Sequence, residues 1–379
     1  MLPQTKSSHW NASFSILRSL ACIAVVVLHT MSYSLVAANE QGQLLVPSQL
    51  LGANVVQYSC MWAVPVFVMV TGALLLDSEK PIPWDVLWKR YIARIGKALL
   101  AFGVLFLSFD LVMNGAEETA SNYSFFAEHP RYTNEGGSVS LAYVTLCGLI
   151  DLLTGHSWAH MWYLYMLLGL YLLLPFFKMV VDRSSERELR YLLGILFLFA
   201  CIVPLLGAVG VTTDYRFSVA TVYPLYLFLG YVLQKKVLSL PKRISAVLLV
   251  LSTVGIWGSV WKLSGSDTGI LEYFVSYNSL PVVVQSASIF ALVTGGSREQ
   301  LNNEASGLRT NFLLAFDRST FGIYLIHLVF IKLLLRYAGL EPFDHLWLFP
   351  VVIVGVVLMS WGCTYCYISM MKRVKIKQD

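Results

Sequence analysis

The chain has 379 residues, of which 57% are hydrophobic and 13% charged, and its mean hydropathy is +0.65. Soluble domains carry about a quarter charged residues, so this composition excludes a water-solvated globule of this length. Apolar runs of about 18 residues or more recur from end to end, each long enough to cross a ~30 Å hydrocarbon layer as a helix, and the short alternating segments of a transmembrane β-barrel are missing.

The fold class that follows is all-α, a polytopic bundle of about ten transmembrane helices. Spans fall near 15–37, 54–76, 92–113, 158–178, 190–210, 217–234, 244–262, 280–296, 319–337 and 346–370. The net charge of +5 is spread by topology rather than gathered in a patch. With the N-terminus inside, the cytoplasmic segments hold 19 Lys and Arg residues, whereas the external loops hold only Arg131, Arg216, Lys262 and Arg336. This positive-inside asymmetry predicts that both termini are cytoplasmic, and it removes the case for a nucleic-acid partner. Membrane lipid is the partner that the composition requires. Residues 1–379 read as one membrane-embedded domain.

Span one is too long for the h-region of a signal peptide and has no Ala-x-Ala cleavage site after it. It carries two ionisable residues, Arg18 and His29, each costly in hydrocarbon unless it faces the bundle interior. Eleven residues at ~100° each make three turns and about 20° more, so the two share one face, with His29 about 16 Å farther along the axis. Arg18 can snorkel to lipid phosphate or meet a ligand, and His29 can serve as an inter-helix hydrogen bond or as a reactive group.

Span two contains Val64-Pro65-Val66-Phe67 followed by Thr71-Gly72, which predicts a kink and a close helix approach. At the cytoplasmic mouth of span three stand Lys89, Arg90, Arg94 and Lys97. Arg90 and Arg94 are four apart and face one way, a cationic pair suited to phosphate but also compatible with ordinary positive-inside charge. Asp110, deeper in that span, is a candidate partner for one of the histidines. The acidic stretch 114–157 is expected outside, with Leu141–Leu153 as a short re-entrant or interfacial helix.

Span four opens with His160-Met-Trp162-Tyr163-Leu-Tyr165. An aromatic belt accounts for the Trp and Tyr, and a sugar-binding edge is the other reading of His160 and Trp162. Span nine contains Phe321-Gly-Ile-Tyr324-Leu-Ile-His327, with Tyr324 and His327 on one face as a polar clamp or a site. Six cysteines are present, five of them within predicted spans. Cys363-x-x-Cys366 has metal-like spacing, but no second pair or nearby His supports a metal site.

Taken in order, Arg18-x10-His29, Val64-Pro-Val-Phe with Thr71-Gly72, Arg90-x3-Arg94-Ile-Gly, His160-Met-Trp-Tyr-Leu-Tyr and Phe321-Gly-Ile-Tyr-x2-His327 resemble the acyltransferase-3 family of integral membrane acyltransferases. The resemblance extends over residues 18–327. It is similar to short forms without an added soluble domain, such as O-acetyltransferases of enterobacterial common antigen and of O-antigens. Two departures are visible. Many members carry Arg-x2-Arg where this chain has Arg90-x3-Arg94, and Ser-Gly where it has Thr71-Gly72.

The resemblance implies transfer of an acyl group, usually acetyl, from acetyl-CoA as donor co-substrate to a hydroxyl of a surface glycan or its lipid-linked precursor. No tightly bound cofactor is implied, and the location is the bacterial cytoplasmic (inner) membrane. A hydroxyl is a poor nucleophile near pH 7, and imidazole is a suitable base, so His29 is the candidate base or transient acyl carrier. Arg18 is assigned with it to the catalytic set, and Arg90 and Arg94 to the CoA phosphates. His160, Trp162, Tyr324 and His327 are the candidate substrate contacts. The competing class is a transporter of a small or acylated solute, for which inverted repeats with paired broken helices are expected, and none is visible in the sequence.

Overall fold

The computed structural model describes residues 12–77, 79, 81–122, 140–211, 221–263, 268–295 and 308–376. Every regular element among them is helical. Nine helical segments among these residues are long and apolar enough to cross a membrane, and two shorter apolar helices accompany them. The chain divides into two compact units, Met1–Asp77 with Ser184–Asp379, and Ser78–Arg183.

The first unit begins with α1 (Ala12–Glu40), which buries Leu17, Ala21, Cys22, Val25 and Val26. The span predicted at 54–76 is divided into α2 (Pro47–Ser59) and α3 (Ala63–Leu75). The break lies at residues 60–62 rather than at the proline. Pro65 sits in the first turn of α3, where its missing N–H costs no helical bond. The apolar run of α7 (Glu186–Ala208) is entered through Ser185, whose Oγ accepts from Glu188 N in a capping box.

After α7 comes α8 (Val222–Gln234), in which eleven of thirteen residues are buried. A helix apolar all round belongs inside the bundle. At about 20 Å it is shorter than the hydrocarbon layer, so it is not one of the nine long segments. The start of the span predicted at 217–234 lies outside the described residues.

The chain continues as α9 (Lys242–Leu263), α10 (Thr268–Val275) and α11 (Leu280–Thr294). α11 shares with α3 a proline in its first turn, Pro281, and unlike α3 it is capped by a side chain, Ser279 Oγ accepting from Val282 N. α12 (Leu308–Lys332, extended by a π turn at Leu333–Tyr337) starts eleven residues before the predicted span, and α13 (Leu348–Ile376) ends the described chain.

Two packings organise this unit. α3 and α8 touch backbone to backbone: a Cβ on Gly72 would lie 1.9 Å from Leu227 O, and one on Gly230 would lie 2.0 Å from Met69 O. The small residue predicted for close packing in span two is therefore the contact point itself. α1 and α12 run parallel, because Arg18 meets Asp317, Cys22 meets Thr320 and His29 meets His327 in ascending order. Parallel packing is the arrangement expected of a first and a ninth span, which requires a short helix such as α8 to be counted among the crossings.

The second unit holds α4 (Trp84–Ser121), α5 (Leu141–Thr154) and α6 (Trp162–Arg183). α4 contains a π turn at Leu87–Ile92, and Gly115 breaks its C-terminal part with φ 77°. α5 is the short helix predicted at Leu141–Leu153, capped by Ser140 and closed by Gly155 in the left-handed region. Its Leu152 packs on Gly103 of α4. At about 21 Å it falls short of a full crossing.

Candidate active site

The face of α1 predicted from the 18-to-29 spacing is real, and α12 covers it. In the second turn of α1, Arg18 donates from Nε to Asp317 Oδ1 (2.6 Å) and from Nη2 to Oδ2 (2.7 Å). Ser15 Oγ adds a third bond to Oδ2 at 2.7 Å. The Asp317 side chain is 8% exposed and that of Arg18 28%. A two-pronged guanidinium–carboxylate pair of this geometry fixes the rotamers of both side chains. Arg18 is thus held by protein through two of its nitrogens, while its outer edge keeps some exposure.

About three turns farther along, His29 Nδ1 lies 3.0 Å from Val25 O and 3.1 Å from His327 Nε2. His327 is fully buried, and its Nδ1 faces Tyr324 O at 2.7 Å and Ile323 O at 3.2 Å. The ring centroids of the two histidines are 5.0 Å apart. His29 is half-buried, and Tyr324 is buried with its ring 5.9 Å from that of His327. Among the described residues no three His, Cys, Asp or Glu side chains converge as metal ligands. The chemistry on offer at this pair is proton transfer.

The other predicted site residues lie in the second unit. Arg90 belongs to the π turn of α4 and Arg94 follows in regular helix, both of them exposed. A π turn absorbs one extra residue in an otherwise α-helical segment. Near these arginines Tyr171 is edge-on to Tyr91 at 5.7 Å between centroids.

His160 is fully buried, 5.3 Å from the Phe106 ring and 6.2 Å from the Trp158 ring. Phe106 and Trp158 stack at 4.2 Å, and Trp158 Nε1 donates to Asp110 at 2.6 Å. Asp110 thus accepts from an indole of its own unit, and Asp317 is a carboxylate that meets span one. Trp162 is half-buried and edge-on to Tyr163. The structure pairs Arg18 with Asp317, His29 with His327, and His327 with Tyr324, whereas Arg90, Arg94, His160 and Trp162 belong to a separate unit.

The first unit also contains an open cavity of about 560 Å³, walled in part by Tyr223, Tyr277, Glu272 and Asn278. None of the sequence-predicted site residues lines it. Cys363 and Cys366 are exposed free thiols on α13.

A helical membrane bundle in which facing helices pair two imidazoles, with a fixed guanidinium about three turns away, defines a polytopic membrane protein with groups suited to acid–base chemistry at that point. The acyltransferase domain of the acyltransferase-3 family matches residues 11–365, and the chain belongs to that family. The protein is a membrane acyltransferase. Comparisons with curated proteins and with solved structures gave no match.

Proposed function

We propose that the protein is an O-acyltransferase of the bacterial cytoplasmic membrane, moving acetyl from cytoplasmic acetyl-CoA to a hydroxyl of a cell-surface polysaccharide or its lipid-linked precursor. The observation that supports this most is His29, an imidazole held by two hydrogen-bond partners three turns above a fixed Arg18 on the same face of α1. Acyl transfer to a hydroxyl needs a base at the acceptor oxygen, and His29 supplies it. The hydroxyl proton passes to His29 as the oxygen attacks the thioester carbonyl. The carbon–sulfur bond then breaks, and the proton leaves with the CoA thiolate as free thiol.

Arg90 and Arg94 are exposed cations at the start of α4, and in this reading they hold donor phosphates. Arg18 orders the lower end of the α1 face through Asp317 and offers its remaining edge to the donor. Trp162 and Tyr324 remain candidate acceptor contacts, and burial of His160 favours a supporting role in its aromatic box.

Purified protein in lipid nanodiscs, given acetyl-CoA with acetyl-labelled carbon and membranes containing lipid-linked glycan, tests the reading. The expected result is label in the glycan fraction, with His29→Ala reducing it ~10²–10⁴-fold while acetyl-CoA still binds. Near-normal transfer by a well-folded His29→Ala protein would remove His29 from the mechanism. Uptake of a solute without acetyl transfer would favour a transporter.

A further inference from the structure

His327 stands beside His29 but belongs to a different helix, and its hydrogen-bond surroundings determine where the protons of both rings reside. Its Nδ1 faces two backbone carbonyl oxygens, Tyr324 O at 2.7 Å and Ile323 O at 3.2 Å. Carbonyl oxygens only accept, so Nδ1 of His327 carries the hydrogen. In the neutral ring the lone pair therefore sits on Nε2, which points at His29 Nδ1 across 3.1 Å. His29 Nδ1 in turn faces two acceptors, that lone pair and Val25 O at 3.0 Å, so it too carries a hydrogen. One tautomer of His29 remains, with its lone pair on Nε2.

We infer that His327 is a positioning residue rather than a substrate contact: it selects the His29 tautomer whose Nε2 is the base, and it shares the positive charge that forms there. This rests on the reading of His29 as the base. When Nε2 takes the acceptor proton, the imidazolium keeps its Nδ1–H directed at His327 Nε2 and Val25 O, so the developing charge meets two fixed acceptors. Movement of that Nδ1 proton onto His327 Nε2 places the charge on a ring whose other N–H is bonded to two carbonyls. The proton returns by the same path as His29 Nε2–H protonates the CoA thiolate, so the pair ends as it began. Full burial of His327 keeps water from competing for its Nε2.

Two variants separate positioning from packing. His327→Ala removes the acceptor and leaves a cavity. His327→Gln fills most of the volume and carries an amide oxygen to the place of Nε2. With acetyl-CoA as the probe and thiol release as the readout in nanodiscs, His327→Ala is expected to lower kcat about 10²-fold, the scale at which wrong-tautomer and outer-shell defects act, with little change in KM. His327→Gln is expected to recover most of that loss.

An activity-independent measurement completes the test. The protein with 15N-labelled histidine is studied by solid-state NMR in bilayers, the His29 resonances being assigned by their loss in His29→Asn. His29 is expected to show a non-protonated Nε2 in wild type and His327→Gln, and a mixture of tautomers in His327→Ala. Equal kcat for the Ala and Gln variants, or a protonated Nε2 in the neutral wild-type ring, would overturn the assignment. If wild-type protein releases no thiol while its His29 spectrum is as expected, the fault lies with the proposed reaction and not with the tautomer.

Discussion

Replacing Gly72 by Ala puts one methyl group into the tightest place in the first unit. The new Cβ would stand 1.9 Å from Leu227 O and 2.7 Å from Leu227 C, both of them backbone atoms that no rotamer change can move aside. Reaching the 3.0 Å below which Cβ contacts are essentially never seen requires α3 and α8 to separate by about 1 Å. Overpacking of this kind costs about 1–3 kcal/mol, and the upper end applies where both contacting atoms are main chain.

A gap of that size also forfeits a quarter to a half of each dispersion contact along the seam, roughly 1 kcal/mol in sum. Higher helix propensity of Ala returns about 1 kcal/mol. The net is a loss of about 3 kcal/mol, the balance of those overpacking and propensity effects. Gly255→Ala on α9, with nothing within 4 Å of its added Cβ, is the control, and it is expected to stabilise by up to ~1 kcal/mol.

The assay is thermal unfolding of the detergent-solubilised protein, followed by fluorescence-detected size exclusion. The double variant Gly72→Ala with Gly230→Ala should cost less than the sum of its parts, since one opening of the seam relieves both methyl groups. Gly72→Ala protein that unfolds at or above the wild-type temperature, beside a well-behaved Gly255→Ala, would refute the backbone contact between α3 and α8.

Other expectations follow from the ion pair, the cationic turn and the topology. Arg18→Ala strands the Asp317 carboxylate and should cost about 2–4 kcal/mol, below the full figure for a buried pair because Arg18 is partly exposed. Arg18→Ala with Asp317→Ala should regain at least half of that stability in the same unfolding assay without regaining acetyl transfer, and recovery of both would make Arg18 purely structural. Arg90→Ala with Arg94→Ala should weaken acetyl-CoA binding at least tenfold by calorimetry while leaving unfolding unchanged, and unaltered affinity would end the phosphate-clamp assignment. Single cysteines placed in the 235–243 loop should resist membrane-impermeant maleimide in intact cells, whereas labelling from outside would overturn the ten-span topology.

What the sequence reveals and what it hides divide along physical lines. The Arg18–His29 face is legible because helix periodicity is a local property, and the partner helix confirms it at both ends. Asp317 escapes sequence reasoning because hydropathy starts the ninth span at 319, two residues too late, and a carboxylate counted as loop attracts no attention. The same cost argument directs attention to Asp110, which accepts from the Trp158 indole. Gly72 is readable as a small residue for packing, but its mate Gly230 stands in the predicted span 217–234 with no second small residue or motif beside it to mark a contact. The role of His327 depends on which atoms its two nitrogens face, and no sequence pattern carries that.

The ten residues between Arg18 and His29 also act as a gauge length. On α1 the interval between the two contacts is about 16 Å, and on α12 the interval from Asp317 to His327 is about 15 Å. Two parallel helices thus mesh at both ends of nearly equal lengths, like racks engaged at two teeth. Adding or removing one residue between them would turn His29 by about 100° away from α12 and shift it by ~1.5 Å, while Arg18 stayed engaged. Substitutions along that interval can be absorbed by side chains, but a change in its length cannot, so the spacing of the motif is as much a constraint between two helices as a distance across the membrane.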